Sequence, residues 1–331
     1  NEGVLVIGEK GRIRLVNPAL VRLFPQAKDA EGKFPVEVIP AAEIQQALDE
    51  LLSAPQDKPR LITLEVEPRP DMILSVQFIR PREAIHDVLA VAVFHDISEM
   101  ARLMRVRKEF VANVSHELRT PLTNVRSYAE TLEDEPDMPE DTRRRFLEVI
   151  LNESDRMTHI VQDLLTLSRF DSGYSQLNLT RFPFAAVLED SYQAVRIEAQ
   201  RHGHQLLLEG TEGLPNVRGD RERILQVIMN ILSNAIKYTP DGGRIVMSAG
   251  ADRERVWLEV ADNGIGIGEE HLPHIFERFY RIDKGRSRKQ GGTGLGLAIV
   301  KNAVAIHGGT ITARERERGG LEFVFTLKKH S

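Results

Sequence analysis

The sequence contains no cysteine. Disulfides, thiolate nucleophiles and thiolate-held metals are therefore excluded, and a reducing compartment is favoured. An excess of one charge is also missing: 44 Lys and Arg stand against 49 Asp and Glu, a formal net charge of -5. Without a polybasic footprint, nucleic acid is not an expected partner. No run approaches the roughly 18 to 20 apolar residues that cross a bilayer, and no signal peptide opens the chain. As it stands the chain reads as soluble and cytoplasmic. It begins with Asn1 instead of Met, so we expect a fragment whose preceding segment holds an anchor in the cell membrane. Fixed-period repeats and low-complexity tracts are absent too.

What is there is 331 residues with 41% apolar content, enough for two or three domains that each bury a core. Residues 3–8 and 12–16 read as two strands about the turn Glu9-Lys10-Gly11. Asn17 before Pro18 reads as the cap of a short helix running toward Phe24. A helix near 41–52 and strand-like runs at 60–67, 72–81 and 88–96 complete a small α+β domain with an antiparallel sheet.

From Ile97 the period changes. Met100, Met104, Val111, Val114, Leu118, Leu122, Val125, Ala129 and Leu132 follow three- and four-residue steps with one polar interruption at Arg107, the seam of a long helix. The acidic, proline-containing stretch 133–139 breaks it. A second seam then runs through Phe146, Val149, Ile150, Met157, Ile160, Leu164 and Leu167. Two such helices make an antiparallel hairpin that cannot enclose a core alone, so two copies are expected to form a four-helix bundle. Packing against another domain of the same chain is the alternative. After Ser172-Gly173, strands at 205–209, 244–248, 256–261, 310–314 and 321–327 interleave with helices at 184–201, 221–238 and 295–307, an α/β sandwich. The expected domains are 1–96, 97–173 and 174–331.

Within the first seam lies Ser115-His116-Glu117-Leu118-Arg119-Thr120-Pro121. At 100° per residue, His116 falls about 200° from the seam positions Val114 and Leu118, hence outside the core. A second histidine at the spacing needed for zinc is missing, because Thr120 stands there. Ser115 cannot face its neighbour to form a hydrolase pair. What survives is a histidine nucleophile whose neighbouring carboxylate, Glu117, accepts a hydrogen bond from one ring nitrogen. A solvated surface histidine is the plain alternative. Pro121 lacks the N–H that would bond the Glu117 carbonyl, so the helix can bend there.

Three further stretches carry chemistry. The run 291–297, Gly-Gly-Thr-Gly-Leu-Gly-Leu, fits neither the dinucleotide nor the Walker pattern, yet it leads into a helix N-terminus, where phosphate is favoured. Asp262, Gly264 and Gly266 end a strand, either as a receiver for a purine amino group or as an ordinary turn. On the helix 221–238, Asn230, Asn234, Lys237 and Tyr238 adjoin the apolar face. An amide oxygen there, with phosphates and water, would suit Mg2+. The basic stretch 281–290 reads as a lid over phosphates or as a solvated loop.

In this order the motifs resemble those of two-component sensor histidine kinases. Residues 115–121 are similar to the phosphoacceptor box, 230–238 to the N box, and 262–267 to the first glycine box. The run 275–280 resembles the F box and 292–297 the second glycine box. The resemblance implies a dimerisation and phosphotransfer hairpin followed by an ATP-binding domain of the GHKL (Bergerat) type. It implies that His116 is phosphorylated from ATP, that Glu117 is the general base, and that Thr120 orients water when phosphate is removed from a partner. It further implies that Asn234 binds Mg2+ with support from Asn230, and that Lys237, Tyr238 and Arg281 contact phosphates. Asp262 would read adenine, and Gly264, Gly266, Thr293, Gly294, Leu295, Gly296 and Leu297 would line the nucleotide. Implied partners are a second copy in a homodimer and the receiver domain of a response regulator, whose aspartate takes the phosphoryl group. Residues 1–96 resemble a PAS sensor, with Gly8-Glu9-Lys10-Gly11 in place of Asp-x-x-Gly and 96–98 as the exit to a signalling helix. No cysteine is present for a flavin adduct, and His86 and His95 are more simply surface or core residues than haem ligands. The general pattern is similar to phosphate-starvation sensors. Competing classes are an ATP-driven clamp of the chaperone or topoisomerase kind, which has no use for residues 115–121, and a non-enzymatic sensor scaffold.

Overall fold

The computed structural model describes residues 2–53, 60–81, 88–171, 177–282, 292–317 and 319–329. His86 and Gly291 and most of the expected lid lie outside these. The chain divides into two compact units, 1–109 and 110–331.

In the first unit, strands β1 (Gly3–Gly8) and β2 (Ile13–Val16) form the expected hairpin. Its turn places Lys10 at φ 63° and Gly11 at φ 74°. Helix α1 (Pro18–Leu23) starts as foreseen: the Asn17 side chain accepts from the Leu20 N–H at 2.9 Å. Short α2 (Pro35–Val38) and α3 (Ala42–Ser53) follow, then β3 (Arg60–Arg69), β4 (Met72–Arg80) and β5 (Val88–Asp96). The sheet order is β2-β1-β5-β4-β3, with every neighbour antiparallel. Leu5, Ile7, Leu74, Val76, Phe78 and Phe94 point into one core with Leu20, Ile44, Leu48 and Leu51 from the helices. That is the period-two alternation that burial of one sheet face demands. At the exit, Ser98 donates through its N–H and its hydroxyl to Asp96, which holds that carboxyl below its ordinary value.

Helix α4 (Ser98–Asp134) begins in this unit and continues into the next, and α5 (Glu140–Asp171) completes the hairpin. The helix is unbroken through Pro121, which is buried. In the single chain Val111, Leu122, Leu147, Leu151, Val161 and Leu165 remain exposed. Ile160 and Leu167 are fully buried. The C-terminal end of α5 therefore packs through Leu167 against another domain of the same chain, the alternative to the bundle, while Phe146, Val149, Ile150 and Met157 of its seam are only half-buried.

The remainder comprises β6 (Thr180–Pro183), α6 (Phe184–Arg201), β7 (Gln205–Glu209), β8 (Asn216–Gly219), α7 (Arg221–Tyr238), β9 (Arg244–Ala251), β10 (Arg255–Asp262), α8 (Gly296–Ile306), β11 (Ile311–Glu315) and β12 (Leu321–Lys328). The sheet order is β11-β12-β10-β9-β7; β7 and β9 are parallel and the other pairs antiparallel. Met247, Leu258, Val260, Phe323 and Phe325 meet Val187, Leu188, Ile228, Ile231 and Leu232 in the core. The pair β6 and β8, only four residues each, has no counterpart in the sequence reading; Phe182 and Val217 face each other across it and are buried.

Candidate active site

His116 is exposed and Glu117 half-buried on α4, as the helical phase requires. The Thr120 hydroxyl donates to the His116 carbonyl at 3.3 Å, an ordinary back-bond within the helix. Glu117 does not spend its carboxylate on the neighbouring ring, contrary to expectation. One oxygen accepts from Arg156 Nη2 on α5 at 3.2 Å, and the other lies 3.5 Å from Arg281 Nη1. Adjacent residues on a helix point about 100° apart, so a partner on the facing helix is better placed than the ring next door.

On α7 the apolar face is driven into the core, which turns Asn230 and Lys237 toward the glycine stretches and leaves Asn234 and Tyr238 half-buried. Asn230 donates to the Gly296 carbonyl at 3.3 Å, tying the N-box helix to the second glycine stretch. Lys237 is half-buried: burial, then the charges of Arg281 and Arg156, push its ammonium down to about 8. Its Nζ lies against the Gly292 backbone, where an added Cβ would approach to 2.7 Å. Tyr238 contributes its carbonyl, which accepts from the Ile265 N–H at 3.2 Å. A Cβ on Gly264 would come within 2.5 Å of that carbonyl oxygen. Glycine is thus required there for close approach of two backbones.

Asp262 ends β10 almost fully buried, with one oxygen accepting from the N–H groups of Gly264 and Leu321 at 2.8 and 3.1 Å. Burial raises its carboxyl above the ordinary value and the two N–H groups oppose the shift. Gly266 and Gly294 adopt φ 68° and 70°. Phe279 takes the same left-handed conformation at φ 62°, and its N–H donates to the Gly294 carbonyl at 2.8 Å. A side chain at 294 would collide with the Phe279 backbone.

The donor set fits a nucleotide polyphosphate. Two cations, Lys237 and Arg281, converge on a glycine stretch that opens α8, whose first N–H groups favour an anion. Asn230 and Asn234, one turn apart on α7, offer amide oxygens suited to Mg2+ only together with phosphates and water. Among the described residues no cluster of three or more His, Asp or Glu could hold a metal by itself.

Two residues escaped the sequence reading. Arg156 pairs with Glu117, and Asp163 accepts from the Thr293 hydroxyl at 3.2 Å. Their seven-residue spacing puts both on one stripe of α5 beside the apolar seam. That stripe is the signal that could have found them. His95 is a surface residue 3.9 Å from Glu2.

Two family models match the chain. Residues 106–173 match the His Kinase A (phospho-acceptor) domain, and residues 219–331 match the Histidine kinase-, DNA gyrase B-, and HSP90-like ATPase. Sensor histidine kinase WalK of Bacillus subtilis (strain 168) is 38% identical over 338 residues, covering 98% of this chain and 53% of WalK. Sensor protein kinase WalK of Staphylococcus aureus is 34% identical over 331 residues, covering 99% of this chain and 78% of that protein. The chain thus spans about half the length of the Bacillus relative. A solved structure of histidine kinase ThkA in complex with response regulator protein TrrA superposes with a TM-score of 0.56 at 22% identity, covering 99% of this chain and 96% of ThkA. At that identity the likeness speaks for the fold.

Proposed function

The chain belongs to the sensor histidine kinase family, and on that premise we propose that it phosphorylates His116 from ATP and passes the phosphoryl group to an aspartate of a response regulator. The observation that carries this reading is the 3.5 Å approach of Arg281, on the nucleotide side, to Glu117, the neighbour of His116. It brings the acceptor helix and the phosphate-side cations to one place. In the transfer, one imidazole nitrogen attacks the γ-phosphorus while the bond to the β-phosphate oxygen breaks and ADP leaves. Glu117 takes the proton released from the ring. Lys237, Tyr238 and Arg281 hold phosphates, and Asp262 receives the adenine amino group. Gly264, Gly266, Thr293, Gly294, Leu295, Gly296 and Leu297 shape the cradle. Asn234, supported by Asn230, would hold Mg2+ through its amide oxygen together with phosphates and water, and the ion would neutralise phosphate charge. Thr120 orients water for removal of phosphate from the regulator.

The active form is a homodimer, supported by the exposed apolar residues Val111, Leu122, Leu147, Leu151 and Leu165 on the hairpin. Residues 1–96, which neither family model reaches, act as a PAS-like input domain. The support is the five-stranded antiparallel order β2-β1-β5-β4-β3 and the Asp96 and Ser98 junction to α4. An anchor preceding residue 1 would put this part on the cytoplasmic side of the membrane. No helix among the described residues is long and apolar enough to cross one. The relatives reported are WalK proteins, so a phosphate-starvation signal gains no support from them.

Incubation with labelled ATP and Mg2+ should give an acid-labile phosphoprotein whose label moves to a receiver domain. Equal labelling of a His116→Gln chain would sink the proposal.

A further inference from the structure

Two hairpin carboxylates occupy groups that the nucleotide reading assigns to the bound nucleotide. Glu117 lies against Arg281, and Asp163 lies against Thr293. At the second position the bonds run in series. The Leu295 N–H donates to the Thr293 hydroxyl at 3.2 Å, and that hydroxyl donates to Asp163 Oδ2 at 3.2 Å. Leu295 is the cap residue of α8 and brings no side-chain acceptor to its first turn. The free N–H groups and the dipole at this helix start favour an anion, and the anion at hand is Asp163.

Apolar packing explains how the carboxylate reaches this place. Leu167 of α5 is buried with Leu295, Ala298 and Ile299 at the start of α8, and Leu164, Phe170 and Phe279 close around them. Asp163 sits one turn before Leu167 on the same stripe, so burying Leu167 carries it to the glycine stretch. Burial raises the Asp163 carboxyl; the Thr293 bond and the neighbouring His159 work against that shift. A desolvated carboxylate is an expensive way to fix an interface whose neighbouring contacts are apolar.

We propose that Asp163 is an internal ligand of the second glycine stretch, standing where a nucleotide phosphate oxygen would bind, so that docking of α5 and phosphate binding exclude each other. The proposal rests on the nucleotide reading of Thr293 and Leu295. A phosphate oxygen accepting from the Thr293 hydroxyl would displace Asp163 from that bond and face it as a like charge. Binding of ATP therefore releases α5 from the glycine stretch, and removing the carboxylate makes binding easier.

The test is equilibrium binding of ATP and of adenosine to the whole chain, by calorimetry. Asp163→Ala should tighten ATP by about threefold to tenfold, the range expected for losing a competing hydrogen bond of ordinary net strength, and leave adenosine unchanged. Asp163→Asn, which keeps the volume and an acceptor for Thr293, should give a smaller gain in the same direction and serves if the alanine chain does not fold. In a Thr293→Val background the gain should vanish. Hydrogen exchange at residues 163–167 should rise when ATP is added to the unaltered chain. An ATP affinity unchanged or weakened in a folded Asp163→Ala chain overturns the proposal, as does an equal gain for adenosine. An unaltered chain with no affinity for ATP instead removes the nucleotide reading beneath it.

Discussion

The Glu117 carboxylate bridges two arginines from different parts of the fold, Arg156 Nη2 at 3.2 Å and Arg281 Nη1 at 3.5 Å. The residue next to His116 is thus held by its own hairpin through Arg156 and touched by Arg281 from the ATPase-like domain. Its side chain is 15% exposed and that of Arg281 only 8%, so the pair is screened far less than a surface ion pair. If Glu117 takes the ring proton, Glu117→Gln should slow labelling of His116 by roughly 100-fold or more, the usual size of a general-base contribution. A Gln chain that labels at the unaltered rate would remove the role.

Arg156 is the second test of the same arrangement. Arg156→Met keeps the apolar stem and loses the charge, leaving Glu117 with Arg281 alone. We expect a fall in the rate of His116 labelling at saturating ATP, with partial recovery in Arg156→Lys. A fall confined to the apparent affinity for ATP would show that Arg156 serves the nucleotide instead.

Lys237 predicts a pH dependence. Its ammonium is lowered from 10.5 to about 8, first by burial and then by Arg281 and Arg156. Between about 8 and 10.5 the unfolded chain holds a proton that the folded chain has released, so stability rises with pH across that window. Below about 8 the penalty for the buried charge is fully present. Thermal unfolding without nucleotide should show this rise, and Lys237→Met should flatten it. Phosphate binding should restore the charge, seen as proton uptake when ATP is titrated near pH 9 in buffers of different ionisation enthalpy.

Gly264 lies where a Cβ would meet the Tyr238 carbonyl at 2.5 Å and Asp262 Oδ1 at 2.8 Å. Gly264→Ala must push apart the end of α7 and the end of β10. A loss of about 1 to 3 kcal/mol is expected from such overpacking, read as a lower urea midpoint, together with weaker ATP binding. Unchanged binding would show that the first glycine box tolerates the shift.

Pro121 is buried within an unbroken α4. Proline in a helix interior costs about 3 kcal/mol relative to alanine. Pro121→Ala should therefore stabilise the hairpin and, if bending here accompanies transfer, slow His116 labelling. Equal rates and an equal response to signal would discard the hinge.

Much of the fold was legible because its elements are locally encoded. The seams of α4 and α5, the Asn17 cap and the alternation in β10 are periodic patterns that set which face is buried. Four-residue β6 and β8 were not legible, since Thr180–Pro183 and Asn216–Gly219 carry too few residues to show a period and pair across 33 to 39 positions. The candidate site divides in the same way. His116 outside the core, Asn230 to Tyr238 on one helix, and the glycines at 264, 266 and 294 follow from phase and spacing alone. Spacing along one chain segment carries no information about what a side chain meets from another segment. Hence only the tertiary structure decided that Glu117 faces Arg156 and Arg281, that Asp163 reaches Thr293, and that Lys237 is half-buried beside Arg281 and Arg156.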